Sequence, residues 1–156
     1  MTICEYHYTE CGLDDVFILA NHLETDDQGE AVVTIPAIGI LHKIIAEGVI
    51  NADGILTGKE IRFLRTEIGM TQAQLANILH RDSQSIARWE KSEVTVDATL
   101  DLVLRQIAAE KLDIPFGENQ GIEELCKKRV QTTVTKPIKA KLNLDDNDKP
   151  SYTLVA

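Results

Sequence analysis

Hydrophobic and polar positions follow two periods along this chain, and the changes between them mark its organisation. Val16 to Ala20 is a short apolar run, preceded by the turn-forming stretch Cys11-Gly12-Leu13-Asp14-Asp15. Glu24 to Gly29 is a polar turn cluster, and Ala31 to Ile35 is rich in β-branched residues. Two such runs around a turn predict an antiparallel strand pair. Pro36 suits the first turn of a helix, where its missing N–H costs nothing. Ile40, Leu41, Ile44 and Ile45 then repeat at helical spacing, and Gly48 is the expected stop.

Asn51 to Gly54 reads as a turn or linker. Three short helical segments are expected between Gly58 and Ser92. A longer helix follows Asp97 as N-cap, with Leu100, Val103, Leu104 and Ile107 at i, i+3, i+4 and i+7. Pro115 and Gly117 end it, and Gly121 to Val130 reads as a further helix holding Cys126. From Gln131 the chain is rich in Thr and Lys. Ile138, Ala140, Leu142 and Leu144 alternate with polar residues, as does the run from Tyr152. Two readings stand for this tail, a hairpin or a partly mobile segment. The expected fold is mostly α with a small α+β N-terminal part. Its expected divisions are 1–54, 55–115 and 116–156.

Charge sharpens this division. The chain of 156 residues carries a net −9, which argues against a uniform nucleic-acid binder. Residues 1–54 hold one Lys and 10 acids, whereas 55–95 hold 6 basic and 5 acidic residues. The imbalance therefore lies in the N-terminal third, and the middle third is free to face an anion. No apolar run approaches the ~18 residues of a membrane helix. The N-terminal residues lack the basic-then-apolar pattern of a secretory signal. The chain is expected to be soluble and cytoplasmic, with no membrane partner.

Three cysteines, Cys4, Cys11 and Cys126, argue against a disulfide framework. Cys4, His7, Cys11 and His22 are four possible metal ligands in a short stretch, but they include no CxxC pair. The alternative is that they are small packing residues and partly exposed histidines. The expectation is no metal and no cofactor. Nor do His7, His22, His42 and His80 form part of a nucleophile–base pair or metal triad, so no enzyme is expected.

The most informative stretch is Arg65 to Ser92. Thr71 and Gln74 form a capping box for one short helix, whose inward face is Leu75, Ala76 and Leu79. Asp82 caps the next, with Ile86 and Trp89 inward and Ser83, Gln84, Ser85, Ala87 and Arg88 mostly outward. Ala76 is small where two helices would cross closely. This is the layout of a helix-turn-helix.

The stretch resembles the Xre/Cro-type repressor family in Thr71-Gln72, Leu75-Ala76 and the closing Ile86-x-Arg88-Trp89-Glu90. That resemblance implies a lambda-repressor-like helix-turn-helix bundle, with 55–115 as a DNA-binding domain. It also implies an ion pair between Arg65 and Glu90. The family usually has Gly where this chain has His80 and Ser92. His is among the non-Gly residues that tolerate φ > 0, so the turn at His80 survives at some cost in strain. Tyr6 to Leu13, Val16 to Asn21 and the approach Leu56 to Arg65 look like a bacterial group related to MqsA-type antitoxins. MqsA-type antitoxins themselves bind zinc through CxxC pairs, and this chain lacks them.

The resemblance places Ser83, Gln84, Ser85, Ala87 and Arg88 toward the major groove and Gln72 on a phosphate. Gln recognises adenine, and Arg recognises guanine, through paired hydrogen bonds. Arg62, Arg81 and Lys91 are candidate backbone contacts; each alone reads equally as a solvated charge. The expected function is a sequence-specific transcriptional regulator, a repressor binding double-stranded DNA as a homodimer. The helix Leu100 to Ile107 and the tail are the candidate dimer surfaces. The alternative is an antitoxin whose acidic N-terminal third docks a basic toxin and which regulates its own promoter.

Overall fold

The computed structural model describes residues 3–20, 24–25, 27–28, 31–32, 35–130 and 136–155. Among them, contacts divide the chain into two units, Met1–Ile45 with Lys136–Ala156, and Ala46–Thr135. The sequence-based boundaries at 54/55 and 115/116 thus differ from the observed ones at 45/46 and 135/136. The first observed boundary falls inside a helix.

The first unit is built around a mixed sheet. Its strands are β1 (Cys4–His7), β2 (Val16–Ala20), β5 (Ile138–Leu144) and β6 (Pro150–Val155), in the order β1-β2-β5-β6. β2 pairs antiparallel with β1, setting Tyr6 opposite Ile18, and parallel with β5, setting Ile18 opposite Ala140. β5 and β6 form an antiparallel hairpin with Leu142 opposite Tyr152. Two further short strands, β3 (Glu24–Thr25) and β4 (Ala31–Val32), pair with each other as a separate two-stranded sheet among the described residues.

This overturns the expected fold class. The described residues hold six helices and a four-stranded mixed sheet, not a mostly-α bundle with a small N-terminal appendage. The physical reason lies in β2. Val16, Ile18 and Ala20 are buried, and a strand so placed needs a hydrogen-bonding neighbour on each side. β5 supplies the second one. The C-terminal alternation is therefore a hairpin within the main sheet. Among the described residues β2 pairs with β1 and β5 and not, as expected, with the run from Ala31; the turn through Gly12 (φ +88°) returns β1 to β2.

Tyr8, Leu13, Val16, Ile18, Ala140 and Tyr152 form much of this unit's core. Its buried hydroxyls are placed: Tyr152 donates to the Pro36 carbonyl at 2.7 Å, and Tyr8 Oη lies 2.8 Å from His42 Nε2. Burial pushes the Tyr152 phenol above its ordinary value. Helix α1 (Ile38–Asn51) starts after Ala37, which has φ +52°, and runs through Gly48 rather than stopping there.

The second unit holds α2 (Gly58–Glu67), α3 (Gln72–Leu79), α4 (Ser83–Glu90), α5 (Ala98–Leu112) and α6 (Ile122–Arg129). Leu64, Leu75, Ile86, Leu104 and Ala108 are among its most buried side chains. On α5 the buried face differs from the apolar stripe expected from sequence. Asp101, Leu102, Leu104, Arg105, Ala108 and Ala109 are buried, while Val103 is exposed. Two charged residues occupy the inner face, for a reason visible in their partners. Arg105 donates to Asp101 Oδ1 (2.8 Å) and reaches the carbonyls of Val49, Ile50, Ala52 and Gly54. Asp101 Oδ2 accepts the Leu56 N–H at 2.6 Å. The pair thus satisfies the backbone of the segment leaving α1, which has no ladder of its own. Among the described residues no helix is long and apolar enough to cross a membrane.

Candidate nucleic-acid interface

The site is built from α2, α3 and α4, each started by a side chain. Thr57 and Glu60 form a capping box on α2, and Thr71 and Gln74 form one on α3. In the second, Gln74 N–H donates to Thr71 Oγ1 (3.1 Å) and Thr71 N–H to Gln74 Oε1 (2.9 Å). Two backbone donors that a helix start leaves over are thereby satisfied. Asp82 Oδ1 caps α4 by accepting from Ser85 N–H at 2.8 Å. That hydrogen bond, first among its causes, holds the Asp82 carboxyl below its ordinary value.

α3 ends at His80, which takes the left-handed conformation at φ +54°, ψ +43°. Its side chain is exposed. Ser92, after α4, has φ +60°. Both positions where the resemblance implies Gly therefore keep the glycine-type backbone with a different residue. The strain of such a position is about 1–2 kcal/mol.

Ala76 is 2% exposed, with Leu75 (0%) beside it and Ile86 (0%) facing inward on α4. Arg65 and Glu90 pair as the resemblance implies. Arg65 Nε lies 2.5 Å from Glu90 Oε1 and Nη2 lies 3.2 Å from Oε2, while Nη1 donates to the Met70 carbonyl. Glu90 also accepts from Gln72 Nε2 at 2.8 Å. One carboxylate therefore ties α2, α3 and α4 together.

Sequence reasoning took Gly58 only as a helix start. A Cβ there would meet the Trp89 carbonyl oxygen at 2.4 Å and that of Glu90 at 2.6 Å. The N-terminus of α2 approaches the end of α4 so closely that only glycine fits. Composition carries no trace of this. The Thr-Gly-x-Glu sequence of the capping box was the available signal, and it explains the cap rather than the glycine.

On α4, Ser83, Gln84 and Arg88 are exposed, Ser85 and Ala87 half-buried, and Ile86 and Trp89 buried. Gln84 and Arg88 stand one turn apart, and Lys91, exposed just past the helix, continues the same ridge. Arg81 is exposed on the turn before α4, and Arg62 on α2. Gln72 is half-buried with its amide engaged by Glu90, so a phosphate there would share that amide. The expected readers thus lie on one short helix, whereas Arg62 and Gln72 stand on other elements.

The other sequence candidates are not gathered into a site. Cys4 and Cys11 are half-buried, Cys11 Sγ lies 3.8 Å from the Tyr8 carbonyl oxygen, and Cys126 is exposed. His22 lies outside the described residues. Among the described residues no group of three or more His, Cys, Asp and Glu is placed to hold a metal ion. Comparison with protein-family models, with curated proteins and with solved structures finds no match to this chain.

Proposed function

We propose that this chain is a sequence-specific DNA-binding regulator, acting as a repressor, that reads the major groove with α4. The observation that carries this reading is the division of α4 into two faces. Ile86 and Trp89 anchor it while Ser83, Gln84 and Arg88 are presented outward, with Ala87 half-covered beside them. Gln84 and Arg88 can each make a paired hydrogen bond to one base, worth ~1–3 kcal/mol of discrimination. Arg62, Arg81 and Lys91 are proposed to contact phosphates, which positions the protein without reading sequence. The Arg65–Glu90–Gln72 cluster supports the reading because a reader must be held rigidly to discriminate.

The test is a mobility-shift titration against DNA from upstream of the protein's own gene, with random-sequence competitor, at two salt concentrations. Specific binding that weakens steeply with salt is expected. Arg88→Ala should lose about 1–3 kcal/mol of preference for the specific site while keeping its melting temperature. Unchanged preference in that variant would remove α4 as the reader. Absence of specific binding by the unaltered protein at both salts would refute the proposal.

A further inference from the structure

The four-stranded sheet ends on one side at β6, and this edge is unlike the other. Hydrogen bonds alternate sides along a strand. The Ile138 N–H donates to the Asp15 carbonyl at 2.8 Å, toward β2, so Lys139, Lys141 and Asn143 turn their backbone groups toward β6. Their partners are Val155, Thr153 and Ser151. The backbone N–H and C=O of Tyr152 and Leu154 therefore point away from the sheet, and among the described residues no strand lies beyond them. Pro150 falls in the same outward register, where a residue without an N–H costs no ladder bond.

Exposed edges of this kind are commonly guarded by charge, by proline, by bulges or by shortness, and on β6 only Pro150, at its start, is such a guard. β1, the opposite edge, has four residues and carries Glu5, which pairs with Lys139 at 3.1 Å. β6 has six residues, Pro150–Val155, and none is charged. Leu154 is 39% exposed although it lies on the face of buried Tyr152, and Val155 is 38% exposed. The edge thus offers unpaired donors and acceptors beside an incompletely covered apolar side chain.

We propose that β6 is a homodimer edge: two copies of this chain pair β6 with β6, antiparallel, and join two four-stranded sheets into one. A two-fold axis beside Thr153 sets Tyr152 of each copy opposite Leu154 of the other. Each such pair exchanges two N–H···O bonds, and Leu154 gains the neighbouring Tyr152 as cover. A second copy is the occupant that the charge pattern selects. A two-fold axis repeats every charge across itself, and in a chain of net charge −9 this strand has none to repeat. A basic or acidic partner would find no complement on it. The proposal is separate from the DNA-reading one, since its readout needs no DNA.

The test is sedimentation velocity of the full chain, without DNA, over a wide concentration range. Concentration-dependent dimerisation is expected. Leu154→Pro removes one outward N–H per copy and should raise the dissociation constant at least about tenfold, with the melting temperature little changed. Thr153→Lys and Thr153→Glu alter an exposed side chain that would face its own copy across the axis. Each alone should weaken the dimer, and mixing the two should restore it. This pair of variants decides the matter should Leu154→Pro fail to fold. An unaltered protein that stays monomeric throughout, or a dimer indifferent to Thr153→Lys and Thr153→Glu, would overturn the proposal.

Discussion

The helical unit holds two charge clusters of similar composition that solve different problems. In the first, Glu90 takes hydrogen bonds from Arg65 and Gln72, and Arg65 spends its remaining nitrogen on the Met70 carbonyl. In the second, one carboxylate, Asp101, stands among two guanidiniums, Arg105 and Arg129, and all three residues are at most 1% exposed. Arg105 is saturated by carbonyls of the segment 49–54. Among the described residues Arg129 donates to the Ala52 carbonyl at 3.3 Å and its Nη1 lies 3.6 Å from Asp101, while its Nε and Nη1 find no hydrogen-bond acceptor there. Burial first, and the Arg105 charge second, lower its pKa. The difference teaches that a buried ion is worth what its hydrogen bonds make it, not what its nominal partner's charge suggests.

The strongest way to break the comparison is Asp101→Ala. It leaves two buried guanidiniums without a counter-charge and frees the Leu56 N–H, and should cost about 3–5 kcal/mol. Chemical denaturation measures this, and a loss below about 1 kcal/mol would show that carbonyls alone hold Arg105. Gly58→Ala comes next, because its methyl group would strike two carbonyl oxygens at the end of α4. It should cost about 2–3 kcal/mol and loosen the Glu90 cluster with it. Glu90→Gln keeps the shape but not the charge, and about 1–2 kcal/mol is expected by the same denaturation measurement. The finest contrast is Arg129→Met. It removes the less satisfied cation, so the protein should be no less stable and should gain up to about 1 kcal/mol. A melting temperature lowered by more than ~4 °C would show that Asp101 needs both guanidiniums.

What could be read from the sequence follows the range of the interactions. Thr71 with Gln74, Asp82 with Ser85 and Asp97 with Leu100 are contacts three residues apart, and each cap was legible. So was the Arg65–Glu90 pair, through its resemblance. The Asp101–Arg105 pair was not. Charged residues one turn apart read as a solvated helix face, and only the distant carbonyls of 49–54 reveal that they point inward. The sheet was least legible because β2 finds its second neighbour in β5, far along the chain. Alternation in 138–144 announces a strand but carries no address for its partner.

That pairing of β2 with β5 also imposes an order of events during synthesis. Val16–Ala20 emerges early, yet one side of it stays without a neighbour until Ile138–Leu144 has been translated. By then every residue of the 46–135 unit has been translated, and the contacts within that unit need none of the C-terminal hairpin. Long-range strand pairing bears the loop-closure entropy before any contact repays it. A chain that ends before residue 138 would therefore carry every residue of the 46–135 unit together with an unclosed apolar strand, of the kind that invites aggregation or a chaperone.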